Sequence, residues 1–382
     1  MYLKQYYIMK KAMICLVLIL PFMLLAQAKN DPKKILMVVS SYGKDLGETR
    51  PGYEFDEFTQ AYLIFKKNGL VVDVASPKGG SVEADQFNKD KIYNQAVLND
   101  QEVMKVLRST LATSEVDPSG YDAVYVVGGK GAMFDLPYDP SLQDILLNLY
   151  RREGTVISAV CHGPAAFVNV KDGDKFIIEG IEMTGFCNLE EDLFGKKWVK
   201  EFPFRLEDQL KARGAVFSQA DFMLSGVAVS RKFITGQNPF STTGSAEAVV
   251  KALGITPAPR DLYKDERSIY LVQEVSDGKR SFESAVVELE KNQAAYDMPL
   301  IAVWGYYKIL ASAEDQNEMK KGVKMVELSM PYFFDENLQM VLAQAYQSLG
   351  EKEKATEILE DLIAKNLLKD KASSLLQELG KN

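Results

Sequence analysis

Residues 157–167 read Ile-Ser-Ala-Val-Cys-His-Gly-Pro-Ala-Ala-Phe, and His162 in that run is the only histidine among 382 residues. The apolar run Thr155–Val160 reads as a buried strand delivering a cysteine, Cys161, directly to that histidine. Small residues on both sides suit a sharp strand-to-helix turn that lifts a nucleophile above a sheet. A helix opening after the turn would aim its amides at the sulfur and lower the thiol pKa. The His162 amide, with amides near Gly128 and Gly129, could form an oxyanion hole. With one histidine in the chain, base chemistry on an imidazole has one address.

Outward from this turn, short apolar runs alternate with helical patterns. Strands are expected at Ile35–Val39, Leu70–Ala75 and Ala123–Val127, with helices over 52–67, 100–112 and 141–152. Short β runs at 215–217, 227–229 and 233–235, a helix near 206–213 and a last helix over 241–253 complete the pattern. Buried Val, Ile and Ala strands between helices indicate a parallel sheet covered on both faces, an α/β doubly wound fold of flavodoxin-like type with a nucleophile elbow. Ligands of such sheets sit at the carboxyl ends of the strands. Gly43, Gly128-Gly129 and Cys161 all follow strand ends.

Pro257 and Pro259 mark a boundary, beyond which apolar residues recur at i, i+3, i+4 and i+7. Phe282, Ala285, Val286 and Leu289 form one such stripe. The spacing of Leu342, Ala343, Tyr346, Gly350 and Ala355 resembles one tetratricopeptide (TPR) repeat, while the preceding hairpin, near 300–330, lacks the pattern. The expected organisation is therefore a catalytic domain over 29–256 and an all-α, TPR-like domain over 265–382. Those helices would serve a protein partner or pack on the catalytic domain or on a second copy in a homodimer.

Lys10-Lys11, the apolar run 12–25 and Ala26-Gln27-Ala28 read as a signal peptide over residues 1–28, which implies export to the periplasm. Its removal takes away three lysines and no acids, so the net charge of −8 becomes about −11. The acidic balance and the lack of a basic stretch argue against nucleic acid binding. Of Cys15, Cys161 and Cys187, two would remain in the mature chain. That number does not build a disulfide scaffold, although a Cys161–Cys187 bridge stays open.

Several further pieces occur in order: Pro51-Gly52 with Glu57, Ala75-Ser76-Pro77-Lys78-Gly79-Gly80, Tyr121-Asp122-Ala123, Gly128-Gly129, Asp135-Leu136-Pro137, Thr184-Gly185-Phe186 and Thr235-Gly236-Gln237-Asn238-Pro239. With the cysteine motif, residues 34–253 resemble the ThiJ/PfpI superfamily of class I glutamine amidotransferase-like fold, in the branch of the heat-shock chaperone and glyoxalase III proteins. The resemblance implies Cys161 as nucleophile, His162 as its base and Glu57 as the buried acid touching the sulfur. It places the third acid of the triad at Glu191, with Glu190 as the less favoured neighbour. Periodicity alone would leave the acids at 54, 56 and 57 on a solvated helix face. Two departures stand out. Lys130 replaces a histidine frequent after the paired glycines, so Gly128, Gly129 and Lys130 are the expected oxyanion and substrate-binding group. Cys187 stands where a small hydroxyl residue is usual. A histidine-based zinc site is excluded, and no cofactor is expected.

The implied activity is a glutathione-independent conversion of methylglyoxal, a small reactive carbonyl substrate, to lactate. The alternatives are a cysteine peptidase or amidohydrolase of PfpI type and a non-enzymatic holdase chaperone. A distant-histidine glutaminase mechanism lacks its histidine.

Overall fold

The computed structural model describes residues 31–195, 197–312 and 315–380. The expected signal peptide lies outside the described residues. Seven strands form the main sheet: β1 (Lys34–Val38), β2 (Val71–Ser76), β3 (Leu111–Ala112), β4 (Ala123–Val126), β5 (Val156–Val160), β6 (Val227–Ser230) and β7 (Phe233–Gly236). Their order is β6-β7-β5-β4-β1-β2-β3. Every neighbouring pair is parallel except β6 and β7. β4 and β5 are buried at every residue. That explains why they read as unbroken apolar runs and not as alternating ones.

The register places the site. Val38 lies beside Val126, Val126 beside Ala159, and Val160 beside Gly236. Four strands therefore end side by side, and the segments after them leave the sheet at one edge.

The expected helix over 100–112 is shorter. It runs Gln101–Arg108, capped by Asp100, whose carboxylate accepts the Glu102 and Val103 amides. Thr110 then exchanges both backbone hydrogen bonds with Gly80, at 2.8 and 2.9 Å. This pulls the chain into the extended form, so Leu111 and Ala112 pair with β2 as an edge strand.

Beyond residue 253 the chain is all helical: Lys264–Ser276, Phe282–Asn292, Met298–Ala311, Gln316–Ser329, Glu336–Ser348, Lys352–Ala364 and Lys369–Leu379. The hairpin lacking the repeat pattern is held at backbone contact. A Cβ on Gly305 would stand 2.8 Å from the Gly322 carbonyl oxygen, and one on Gly322 the same distance from that of Gly305. Two small residues facing each other replace the repeat's spacing.

The helices have two apolar cores. An outer one gathers Leu342, Tyr346, Ala355, Leu359 and Ala372. An inner one mixes helix residues Ile269, Val272, Trp304 and Met325 with Phe222, Met223 and Leu224 from the α/β body. Trp304 is fully buried there, a burial worth on the order of 3 kcal/mol. Next to the boundary prolines, Arg260 bonds Glu247 of the last body helix at 2.7 Å and Glu266 of the first helix beyond the boundary at 2.6 Å. One guanidinium thus ties carboxylates from the two sides of the boundary together.

Candidate active site

β5 ends at Val160, and Cys161 adopts φ +58. This left-handed conformation costs a non-glycine residue on the order of 1–3 kcal/mol. The surroundings hold it. The Cys161 amide donates to the Gly236 carbonyl at the end of β7, and the Cys161 carbonyl accepts the Phe186 amide, both at 2.9 Å. The chain then makes a five-residue 3-10 turn, Gly163–Phe167. This turn is too short for the helix dipole expected from the sequence.

His162 directly succeeds the cysteine. Its Nδ1 stands 3.3 Å from Cys161 Sγ and its Nε2 2.9 Å from Glu191 Oε2. Glu191 can only accept from Nε2–H, so Nδ1 presents its lone pair to the thiol. The ring is pinned between Phe186 and Phe202, at centroid distances of 4.6 and 5.7 Å. Glu191 comes from the first turn of helix Asn188–Phe194.

Glu57 reaches the sulfur from the other side. It is fully buried in helix Phe55–Lys67, and its Oε2 accepts the Gly128 amide at 2.7 Å. Its second oxygen is buried without a hydrogen-bond partner, and the carboxyl lies beside the Cys161 thiol. Burial, reinforced by Glu54, pushes the Glu57 pKa well above the usual carboxylate range. Burial and the adjacent Glu57 also push the Cys161 thiol up, against the opposing pull of the nearby Gly129 amide. Both shifts run upward, in contrast to the lowered thiol pKa expected from the turn alone.

Gly128 and Gly129 are required by space. A Cβ on Gly128 would lie 2.7 Å from Glu57 Oε2 and 2.6 Å from the Val160 carbonyl oxygen, and one on Gly129 2.4 Å from the Glu54 nitrogen. The Gly128 amide is committed to Glu57. It is not open to a substrate oxyanion, which departs from the expected role. Lys130 lines the same cavity as Cys161 and His162.

The cavity holds about 220 Å³. The thiol is only 4% exposed, so a reactant reaches it through this space. Glu54, Phe194, Met223 and Asn238 also line it, and sequence reasoning assigned none of them a role. Glu54 had a signal, since it belongs to the acid group 54, 56 and 57. No member of that group is a freely solvated charge. Glu54 faces the cavity, Asp56 binds Lys91, Tyr93 and Asn94, and Glu57 meets the sulfur. Burial, then Asp56 and Asp85, raise Glu54 to about 7 against the pull of Lys130 and Lys91.

Glu190 has a different duty from Glu191. Its Oε1 accepts the Met223 amide at 2.8 Å and the Asn238 side-chain N–H at 2.7 Å. Its Oε2 takes the Cys187 thiol at 3.4 Å. Cys187 and Cys161 are both free thiols. A larger cleft, about 980 Å³, lies between helix Phe55–Lys67 and the start of the helical region, and none of the candidate residues lines it.

Residues 33–252 match the DJ-1/PfpI family. The chain belongs to that family. Its DJ-1/PfpI domain is similar to Glyoxalase 3 of Candida albicans, at 30% identity over 234 residues covering 57% of this chain and 98% of that protein. It is similar to a glutathione-independent glyoxalase of Schizosaccharomyces pombe, at 29% identity over 250 residues covering 58% and 98%. Among solved structures, the Rapid Encystment Protein 24 kDa of Francisella tularensis aligns with TM-score 0.55 and 34% identity over 58% of this chain and 99% of that one. Glyoxalase III of Candida albicans aligns with TM-score 0.53 and 27% identity over 58% and 97%. The DJ-1/PfpI domain is thus a distant homologue, near 30% identity, of glutathione-independent glyoxalases. The family match stops short of the seven C-terminal helices.

Proposed function

We propose that this protein converts methylglyoxal to lactate without glutathione, with Cys161 supplying the thiol. The observation that carries this is the Cys161 sulfur standing 3.3 Å from the His162 Nδ1, beside the buried Glu57 carboxyl and at a small cavity of about 220 Å³.

Sγ attacks the aldehyde carbon, the carbonyl electron pair moves to oxygen, and His162 carries the thiol proton to that oxygen. The product is a hemithioacetal. His162 then removes the C–H proton, giving an enediol. Return of a proton to the neighbouring carbon and loss of the hydroxyl proton leave a lactoyl thioester. Water adds to its carbonyl, the S–C bond breaks, the sulfur regains a proton and lactate leaves. Glu57, holding its proton, serves as hydrogen-bond donor beside the sulfur. Glu191 keeps the imidazole in the tautomer that makes Nδ1 the base.

A peptidase of PfpI type is disfavoured by the same cavity. About 220 Å³ beside a cysteine that is 4% exposed fits a small carbonyl compound better than a polypeptide. The signal-peptide reading of residues 1–28 would put this activity in the periplasm, and the proposed role there is stress protection. Helices Glu336–Ser348 and Lys352–Ala364 read as one TPR-like hairpin, with Ala343 and Ala355 fully buried and Gly350 at φ +78. That hairpin is the proposed surface for a protein partner or a second copy.

The test monitors lactate formed from methylglyoxal in glutathione-free buffer under reducing conditions. Cys161→Ser should lose at least about a thousandfold in rate. No turnover by folded, reduced wild-type protein would sink the proposal.

A further inference from the structure

Part of the cavity wall, Met223 and Phe194 of the α/β body, is backed by the C-terminal helices. Met223 lines the cavity while 8% exposed, at φ +58. A methionine has no intrinsic preference for that conformation, so its neighbours impose it. On the body side, the Met223 amide is held by Glu190 at 2.8 Å, and the Leu224 carbonyl by the Asn238 side chain at 2.9 Å. On the other side stands helix Met298–Ala311. Trp304 Nε1–H donates to the Phe222 carbonyl at 3.1 Å, and its indole stacks on the Phe222 ring at 5.7 Å and 5°. Lys308, one turn on, pairs its buried ammonium with Asp221. The Phe222–Met223 peptide is therefore clamped from two sides, its N–H by Glu190 and its carbonyl by Trp304. Phe194, a second lining residue, packs edge-on against Tyr307 of the same helix at 4.9 Å. Trp304, Tyr307 and Lys308 share one helix face by their i, i+3, i+4 spacing.

We propose that this helix face sets the size limit of the active site. Through Trp304, Tyr307 and Lys308 it holds Met223 and Phe194 as an apolar wall that admits short aliphatic 2-oxoaldehydes to Cys161 and turns away aryl or long-chain ones. Met223 is the specificity-determining residue, and Trp304 and Lys308 are positioning residues. The inference deepens the glyoxalase reading and rests on it for the substrate class. The gating of the thiol does not depend on turnover.

The experiment uses the full chain and two readouts. One is the ratio of kcat/KM for phenylglyoxal over methylglyoxal. The other is the ratio of alkylation rates at Cys161 by N-phenylmaleimide over iodoacetamide, measured by mass of the Cys161 peptide. Met223→Ala should raise both ratios roughly tenfold, since removing apolar bulk from a pocket changes discrimination by about that factor or more. Trp304→Leu and Lys308→Met should move both in the same direction, and Trp304→Phe, which keeps the stacked ring, should move them less. Leu359→Ala, in the outer core, should leave both unchanged. Wild-type ratios in folded Lys308→Met and Trp304→Leu would overturn the positioning role. An unchanged alkylation ratio in Met223→Ala would overturn the wall itself. If no dicarbonyl is turned over, the alkylation ratios still decide the gate, so failure of the glyoxalase reading is separable from failure of this one.

Discussion

The two sides of the Cys161 cavity are built by different means. The sheet side is polar chemistry held by backbone: the amides of Cys161, Gly128 and Phe186 each have a fixed partner, and Glu57 and Glu191 bracket the sulfur and imidazole. The helix side is apolar shape, with Met223 and Phe194 leaning on helix Met298–Ala311, far along the chain from both. The sheet side results from strand register, which aligns four strand ends. The helix side depends on a separate layer docking correctly. Chemistry should therefore be sensitive to single polar atoms, and selectivity to packing. The short helix Asn188–Phe194 joins the two sides, because Glu191 holds the base while Glu190 holds the Met223 peptide.

The largest effect expected, beyond loss of the thiol, is at that joint. Glu191→Gln keeps size but can present an N–H to Nε2, which turns the imidazole so that Nδ1 carries the proton and cannot accept the thiol's. A fall in kcat of roughly 10²–10³ is expected, with little change in phenylglyoxal selectivity. A kcat within threefold of wild type would show that the tautomer is set by something other than Glu191, and would weaken the assignment of base chemistry to the sheet side.

Glu54 offers a smaller, pH-dependent test. Its carboxyl rises from the ordinary 4.5 to about 7 because burial and the acids at 56 and 85 outweigh Lys130 and Lys91. A raised acid pKa means the folded state holds a proton that the unfolded chain has released. The stabilising contribution is full below about 4.5 and is lost as pH climbs to about 7. Relative to Glu54→Gln, wild type should therefore lose on the order of 2 kcal/mol between pH 4.5 and 8. Urea midpoints of both proteins at the two pH values measure this. A constant difference between the two proteins would mean that Glu54 ionises as it does in the unfolded chain.

Legibility in the sequence divides along the same line. The elbow was readable because Val156–Val160 is an uninterrupted buried strand and the chain's single histidine adjoins Cys161 directly. The acids needed the family resemblance, since Glu54, Asp56 and Glu57 share one helical turn and only tertiary packing gives each its own environment. The thiol's upward shift was not readable, because it arises from burial and then from Glu57, which lies more than 100 positions away in sequence. Residues 100–112 read as one helix because apolar Val103 and Leu107 continue in register to Leu111; the Gly80–Thr110 exchange that ends it is long-range. Met223 carried no signal at all. Its left-handed backbone is imposed by groups from three separate segments, and local pattern records none of them. The Gly305–Gly322 contact was also silent, for glycine in a helix reads as a weak spot until the facing helix is known.

The smallest expected effect on activity separates the helical layer into its two cores. Leu359 is fully buried in the outer core, away from Trp304. Leu359→Ala removes that packing and should cost about 2–5 kcal/mol of stability in the outer helices, while kcat/KM for methylglyoxal stays within twofold. Gly322→Ala strikes the helix that carries Trp304 directly, because the new methyl meets the Gly305 carbonyl oxygen at 2.8 Å and pushes that hairpin apart. It should cost less stability, about 1–3 kcal/mol, yet raise the phenylglyoxal to methylglyoxal ratio. The informative quantity is the crossing of the two effects: the more damaging substitution for stability should be the less damaging one for selectivity. Parallel changes in both quantities would mean that the helices act on the active site as one cooperative body, and that the inner face has no privileged link to Met223.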